Sequence, residues 1–219
     1  MRKQFGVIGL GKFGSSVALS LESLGYPVLA IDSNPEIVQG IKDKVSFAEI
    51  VDATNIEALE ETGIKNCDTV VIAVGDVESS VLIALILEEI GIHHIIAKAN
   101  SPLHGRVLKK IGVKEVVFPE EDMGVRIANK ITSANILDYI EITPEVDLLE
   151  YKVLSKALVN KSLLQLALRN KFGITVIAIR RGEEVIVSPG ADEKLNEGDV
   201  IFIVGNTENL VRFKETFEK

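Results

Sequence analysis

A single cysteine, Cys67, stands in the 219 residues. One thiol makes neither a disulfide framework nor a cysteine-ligated metal cluster. Basic residues are also short, since 24 Lys and Arg against 32 Asp and Glu leave a net charge of −8. Without a cationic excess to meet phosphates, no nucleic-acid partner is expected. Long apolar runs are missing too. The longest, residues 81–87, falls far below the roughly 18 residues that span a bilayer, so no direct membrane insertion is expected. The stretch MRKQFGVIGLG turns glycine-rich where a secretory signal is apolar, and it lacks a small-residue cleavage site. These absences point to a cytoplasmic chain. What is present is enough to fold: 47% hydrophobic and 26% charged residues can bury a core in one large domain or two small ones.

Apolar patterning supplies the frame. Residues 5–9 read as a strand, and residues 13–24 as a helix with Val17, Ala18, Leu21 and Leu24 on one side. Strand-like PVLAID and VSFAEI follow, then helical IEALEETG and the continuous TVVIAVG. Helical ESSVLIALILEEIG, strand-like HIIAKA, helical LHGRVLKKIG and the strand EVVFP complete the alternation. Several strands are unbroken Val/Ile/Ala runs, as in strands buried on both faces. The expected fold class is therefore α/β, a Rossmann-like doubly wound parallel sheet over residues 1–118. PEEDMGVRIANKITSANILD reads as one helix: Pro119 suits its first turn, and Ile127, Ala128, Ile131 and Ala134 share a face. Residues 119–143 thus form a crossover helix and linker. Residues 144–219 read as a small α+β domain. A strand near LLEYKVL precedes a helix near SLLQLALRN, a hairpin of ITVIAIRR and VIVSP, the strand DVIFIVG and the helix TENLVRFKETFEK. Its polar residues read as solvated faces.

The sharpest motif is Gly9-Leu10-Gly11-Lys12-Phe13-Gly14, which follows a strand and opens a helix. In the dinucleotide fingerprint the first glycine makes a tight turn. The second lets the backbone approach phosphates, and the third lets helix and strand pack closely. Free N–H groups at the helix start then hold the phosphates. The second strand ends in Asp32, near the expected distance of about 20 residues for the acid that binds a ribose diol. A 2′-phosphate would be repelled there, which disfavours NADP. Gly6-x-x-x-x-Gly11-Lys12 nearly matches a P-loop, but Phe13 stands where a hydroxyl must ligate magnesium. Lys12 adds a cation near the phosphates and favours ADP or ATP. The other strand ends face the same crevice: Asp52, Ala53 and Thr54; Val74, Gly75 and Asp76; Lys98, Ala99 and Asn100, with His104 just beyond. Asp52 and Thr54 also read as caps for the helix near residue 55. His93 and His94 read as solvated.

Hydride-transfer enzymes need a proton carrier beside the substrate. None of Tyr26, Tyr139 and Tyr151 has a lysine four residues on, and residues 144–219 hold no histidine or cysteine. A nucleotide site without such chemistry points to a sensor whose ligand shifts a conformational equilibrium. The competing reading is an NAD-dependent oxidoreductase or redox sensor of Rossmann type.

GLGKFGSS, VDAT, AVGD, KAN with a following histidine, PEEDMGVRIA and LNEGDVIFIVG together resemble the RCK (KTN) family, in particular the cytosolic gating subunits of Ktr-type potassium transporters. The resemblance covers essentially the whole chain. It implies a Rossmann-like domain that binds ATP or ADP, with NAD(H) in relatives, and a regulatory role without enzymatic activity. It implies a homodimer joined through the helix after the sixth strand, assembly into an octameric ring, and a membrane potassium-transporting partner. By position, Lys12 resembles the basic residue at the terminal phosphate, commonly arginine. Asp32, Ser33 and Asn34 resemble the ribose-binding strand end, and Asp52 and Ala53 the adenine contact. Glu120 resembles the carboxylate that, with nucleotide, holds a divalent cation (magnesium or calcium) at the dimer interface. Glu121 and Asp122 read only as acids stabilised by the helix dipole.

Overall fold

The computed structural model describes residues 3–217. It divides into two compact units, Met1–Pro119 and Glu120–Lys219. The first unit alternates β1 (Phe5–Ile8), α1 (Lys12–Ser23), β2 (Val28–Asp32), α2 (Pro35–Ile41), β3 (Phe47–Ile50), α3 (Ile56–Glu61), β4 (Thr69–Ile72), α4 (Val77–Ile90), β5 (Ile95–Lys98), α5 (Pro102–Ile111) and β6 (Glu115–Val117). The strands form one parallel sheet in the order β3-β2-β1-β4-β5-β6. The order reverses between β1 and β4, and ligands of such sheets bind outside the strand ends at that switch.

Both faces of the sheet are covered, as the unbroken apolar runs require. Ile8, Ile31, Val70, Ile72 and Ala97 pack with Leu59 of α3, Ile83 and Leu87 of α4 and Leu108 of α5. Val7, Val28, Ala30 and Val71 pack on the other side with Ala18 of α1 and Val38 and Ile41 of α2. Helix α2 is an element the sequence pattern left unread. Asn34 caps it by accepting the Glu36 N–H at 2.9 Å, and Pro35 supplies a preset first turn. Asn55, rather than Asp52 or Thr54, caps α3, accepting the Ala58 N–H at 3.1 Å.

The boundary between the units falls after the first residue of α6 (Pro119–Ile131), a helix that stops short of the expected residue 138. One local bond and one to β8 fix the turn that follows it: the Asn135 N–H donates to Ser133 Oγ at 3.1 Å, and the Asn135 carbonyl accepts the Lys152 N–H at 2.7 Å. The chain leaves as a strand, β7 (Ile136–Thr143), paired with β8 (Val146–Lys152). Two short helices, α7 (Leu163–Leu166) and α8 (Leu168–Phe172), replace the single helix expected there, because Ala167 turns left-handed with φ 48°. Then come β9 (Thr175–Arg181), β10 (Glu184–Val187), β11 (Val200–Asn206) and α9 (Thr207–Phe217). Residues 218 and 219, expected in that last helix, lie outside the described residues. The five strands form an antiparallel sheet in the order β10-β9-β11-β8-β7. Its core gathers Leu149, Tyr151, Ile201, Ile203, Leu210 and Phe213, with Tyr151 and Phe213 edge to face at 5.1 Å.

Polar residues of this unit are not all solvated faces. Asp147 and Asp199 are buried. Arg181 grips Asp199 with two bonds, Nε to Oδ1 at 3.1 Å and Nη2 to Oδ2 at 2.9 Å. It also donates to Glu193 Oε1 at 3.1 Å and to the Lys194 carbonyl at 2.8 Å. One planar fork therefore ties β9 to the long loop before β11, a task the ammonium of lysine cannot reproduce.

Hydrogen bonds to a buried charge contribute about 1.5–3 kcal/mol, and water around the partly exposed guanidinium reduces this. Arg181→Met should therefore lower the unfolding free energy by about 2 kcal/mol, with Arg181→Lys between it and the native chain. Urea unfolding measures both, and an unchanged midpoint for Arg181→Met would reduce the clamp to a surface contact.

Candidate functional site

The turn after β1 is built for close approach. Gly9 has φ 89°, and a Cβ there would lie 2.8 Å from the Val74 backbone nitrogen. Its own N–H donates to the Ile31 carbonyl at 2.8 Å, which fixes the turn to β2. On Gly14 a Cβ would lie 1.9 Å from the Gly9 carbonyl oxygen, so α1 can pack against β1 only with glycine there. Gly11 is the opposite case, since a Cβ there would meet nothing within 4 Å. The middle glycine borders open space at the start of α1.

That helix start differs from its neighbours. Asn34, Asn55, Asp76 and Ser101 cap α2, α3, α4 and α5 through their side chains, whereas α1 has no side-chain cap and no acid in its first turn. Its first N–H groups and the positive end of its dipole face the space beside Gly11. Lys12 is the first residue of α1 and is exposed; Phe13 is half-buried against the core on that side.

Three acids surround the adjoining hollow. Asp32 Oδ2 accepts the Leu10 N–H at 2.6 Å, and Oδ1 accepts the Asn34 N–H at 2.8 Å. The carboxylate at the tip of β2 thus also organises the glycine loop, which its spacing alone did not reveal. Asp52 Oδ1 accepts the Thr54 hydroxyl at 2.7 Å and the Thr54 N–H at 3.0 Å, and these bonds hold its carboxyl below the usual range. Asp76 Oδ2 takes the Ser79 N–H and hydroxyl, both at 2.7 Å, which lowers it likewise.

A cavity of about 210 Å³ opens between these groups. Gly9, Asp32, Ser33, Asp52, Ala53, Thr54, Val74, Gly75 and Asp76 line it, as do Ile8, Val51, Ser79 and Ile83, which the sequence reading did not name. Ser79 was legible as the third residue after a capping aspartate. The remaining candidates stand elsewhere. Asn34 caps α2, and Lys98 and the buried Ala99 lie at the end of β5. Asn100 is exposed, lies outside the cavity lining and donates from Nδ2 to the Gly75 carbonyl at 2.5 Å. His104 is buried in the first turn of α5, its ring kept below the usual histidine range by that burial. Glu120 lies in the first turn of α6, in the second unit, with Glu121 and Asp122. Among the described residues, no three His, Cys, Asp or Glu side chains group as a metal cage. No helix of the described chain is long and apolar enough to cross a membrane.

The second unit has a cavity of its own, of about 410 Å³, that the sequence did not signal. Leu163, Leu164, Leu168, Ile174 and Pro189 make it apolar, while Arg169 and Asn170 add polar groups.

Comparison with known proteins identifies the architecture. The TrkA-N domain model matches residues 5–119, and the TrkA-C domain model matches residues 148–218. The chain is 41% identical over 216 residues to Ktr system potassium uptake protein C of Bacillus subtilis (strain 168), covering 98% of this chain and 97% of that protein. It is 38% identical over 209 residues to Ktr system potassium uptake protein A of Vibrio alginolyticus, covering 95% of this chain and 94% of that one. The fold is shared with the GsuK channel at a TM-score of 0.72 and 15% identity, across 100% of this chain but only 40% of the channel. The GsuK channel bound to NAD gives 0.70 at 16% identity, again with 100% and 40% covered. With both of its units matched and its length accounted for, the chain belongs to the TrkA-N/TrkA-C family and, within it, to the Ktr system potassium uptake proteins.

Proposed function

We propose that the crevice of the first unit binds an adenine nucleotide, ATP or ADP with NAD(H) as a further ligand, and that binding gates a membrane potassium-transporting partner from the cytoplasmic side. The observation that carries this reading is the uncapped start of α1 beside Gly11, with Asp32 holding the same loop. Phosphates would lie on the α1 N–H groups with Lys12 next to them. A 210 Å³ cavity is smaller than whole-ligand pockets of roughly 300–1,000 Å³, so it would seat part of the nucleotide. Its carboxylates suit hydroxyl and amine donors and repel phosphate, which sets the direction in which a nucleotide enters and disfavours NADP. The names of the relatives as potassium uptake proteins support regulation of transport rather than catalysis.

Assembly follows from what each unit leaves uncovered. Along α6, Met123, Val125, Ile127 and Ile131 are exposed, Ile131 to 77%. A second copy covering the face shared by Met123, Ile127 and Ile131 would form the homodimer and place two Glu120 carboxylates across a two-fold axis. Like charges there call for a divalent cation, magnesium or calcium, to which Glu120 of each chain would be a ligand. In the first unit, Leu82 and Leu85 on α4 and Leu103 and Val107 on α5 are also exposed. This second apolar surface lets dimers join into the octameric ring that would dock on the membrane partner.

The redox-sensor reading loses its one thiol. Cys67 is buried, and desolvation, with Asp68 adding to it, pushes its pKa up to about 11.

Asp32→Ala should weaken ADP binding by roughly 10- to 150-fold, the equivalent of about 1.5–3 kcal/mol for hydrogen bonds to a charged group. Lys12→Ala should weaken ATP more than ADP and NADH least. Calorimetric titration reads both, and near-native affinity for Asp32→Ala removes the nucleotide from this crevice. Light scattering should give a mass several times 23.8 kDa. Calcium or magnesium added with ATP should raise the melting temperature of the native chain and not of Glu120→Gln; a monomer, or equal responses, refutes the interface. Cys67 should stay silent toward a thiol reagent at pH 8 in the folded protein and react at once in denaturant. Rapid labelling of the native chain would restore the redox reading.

A further inference from the structure

His104 poses a chemical puzzle. It is 3% exposed, and its Nδ1 accepts the Asn100 N–H at 3.3 Å. A nitrogen that accepts an N–H carries no proton, so the ring's proton sits on Nε2. That Nε2 is buried and has no hydrogen-bond partner among the described residues. An unmet buried donor is costly, and a leucine of similar size would fill the space without one. What the imidazole supplies in return is the acceptor at Nδ1.

That acceptor holds one end of a short chain of bonds. Asn100, fixed at its backbone by His104, donates through its side chain to the Gly75 carbonyl at 2.5 Å. Gly75 lies in the cavity wall between Val74 and Asp76. The first turn of α5 is itself pinned. The His104 N–H donates to Ser101 Oγ at 3.2 Å, and a Cβ on Gly105 would lie 2.7 Å from the Phe118 ring. The turn that carries His104 therefore has little freedom to shift, and it can serve as an anchor.

We infer that His104 is a positioning residue of the nucleotide crevice: its Nδ1 fixes Asn100, and Asn100 sets the wall formed by Val74, Gly75 and Asp76. This rests on the nucleotide reading above. It separates His104 from residues that touch the ligand, because His104 acts from behind the wall.

Asparagine and glutamine distinguish an acceptor from a filler. In asparagine, Oδ1 is attached to Cγ as Nδ1 is in histidine, so it can take the same N–H. Glutamine is closer to histidine in length but places its polar atoms where Nε2 lies. His104→Asn should keep the ADP dissociation constant within about twofold of native, while His104→Gln and His104→Leu raise it roughly three- to tenfold, the range of one hydrogen bond. In an Asn100→Ala background, His104→Gln should add less than about twofold, because the chain of bonds is already cut. Without nucleotide, amide exchange at Asn100, Gly75 and Asp76 should rise in His104→Gln and His104→Leu and stay native in His104→Asn. Should His104→Leu fail to fold, the asparagine and glutamine variants decide. Equal effects of those two variants, or additive losses in the double variant, would overturn the positioning role. Exchange behaving as stated in a native chain that binds no ADP would overturn the nucleotide reading, and with it any role for His104 at that site.

Discussion

The bond from the Leu10 N–H to Asp32 is the contact on which the first unit's chemistry depends. It joins the end of β2 to the turn after β1, at the point where the strand order reverses. Without it the glycine loop would keep the Gly9 N–H bond to the Ile31 carbonyl and the Ser15 hydroxyl bond to the Leu10 carbonyl, but would lose its tie to the carboxylate that ends β2. The same carboxylate also takes the Asn34 N–H, and Asn34 caps the next helix. One acid thus sets two helix starts, α1 left uncapped and α2 closed, and this difference marks the place suited to a phosphate.

Much of this was legible in the residues. Unbroken apolar strands separated by helical stretches allow few arrangements, and the parallel sheet covered on both faces follows from them. The glycine spacing with Asp32 beyond it located the crevice. What stayed hidden depended on partners distant in sequence or on competing periods. Arg181 and Asp199 read as solvated singly, because nothing local shows that each is the other's partner. Residues 136–138 read as the end of a helix and 139–143 as linker, because no glycine or proline after Ala134 interrupts the spacing set by Ile127, Ala128, Ile131 and Ala134. Asn100 and His104 stood at the right strand end for a ligand. Only the bond directions show that they face the protein's own backbone.

The two units stabilise themselves by different means. The first depends on aliphatic layers on both faces of its sheet, with polar groups spent on caps and turns at the strand ends. The second gathers aromatic rings, with Phe172, Tyr151 and Phe217 each packed on Phe213, and holds a long loop with an ionic fork. Aliphatic layers tolerate volume-conserving exchange, whereas edge-to-face rings and bidentate pairs depend on orientation.

The contact between Gly14 and the Gly9 carbonyl has a consequence for how this chain can drift. Every single-base change in a glycine codon that alters the amino acid installs a Cβ. At Gly14 that atom would stand 1.9 Å from a backbone oxygen that cannot swing aside as a side chain can. No neighbouring sequence is a tolerable stepping stone, so the position is locked irrespective of which ligand the loop holds. Gly11, three residues earlier, has open space on the same test. Its identity is therefore left to whatever approaches the backbone there, and on the nucleotide reading proposed above the two glycines of one motif answer to separate selections, one for folding and one for binding.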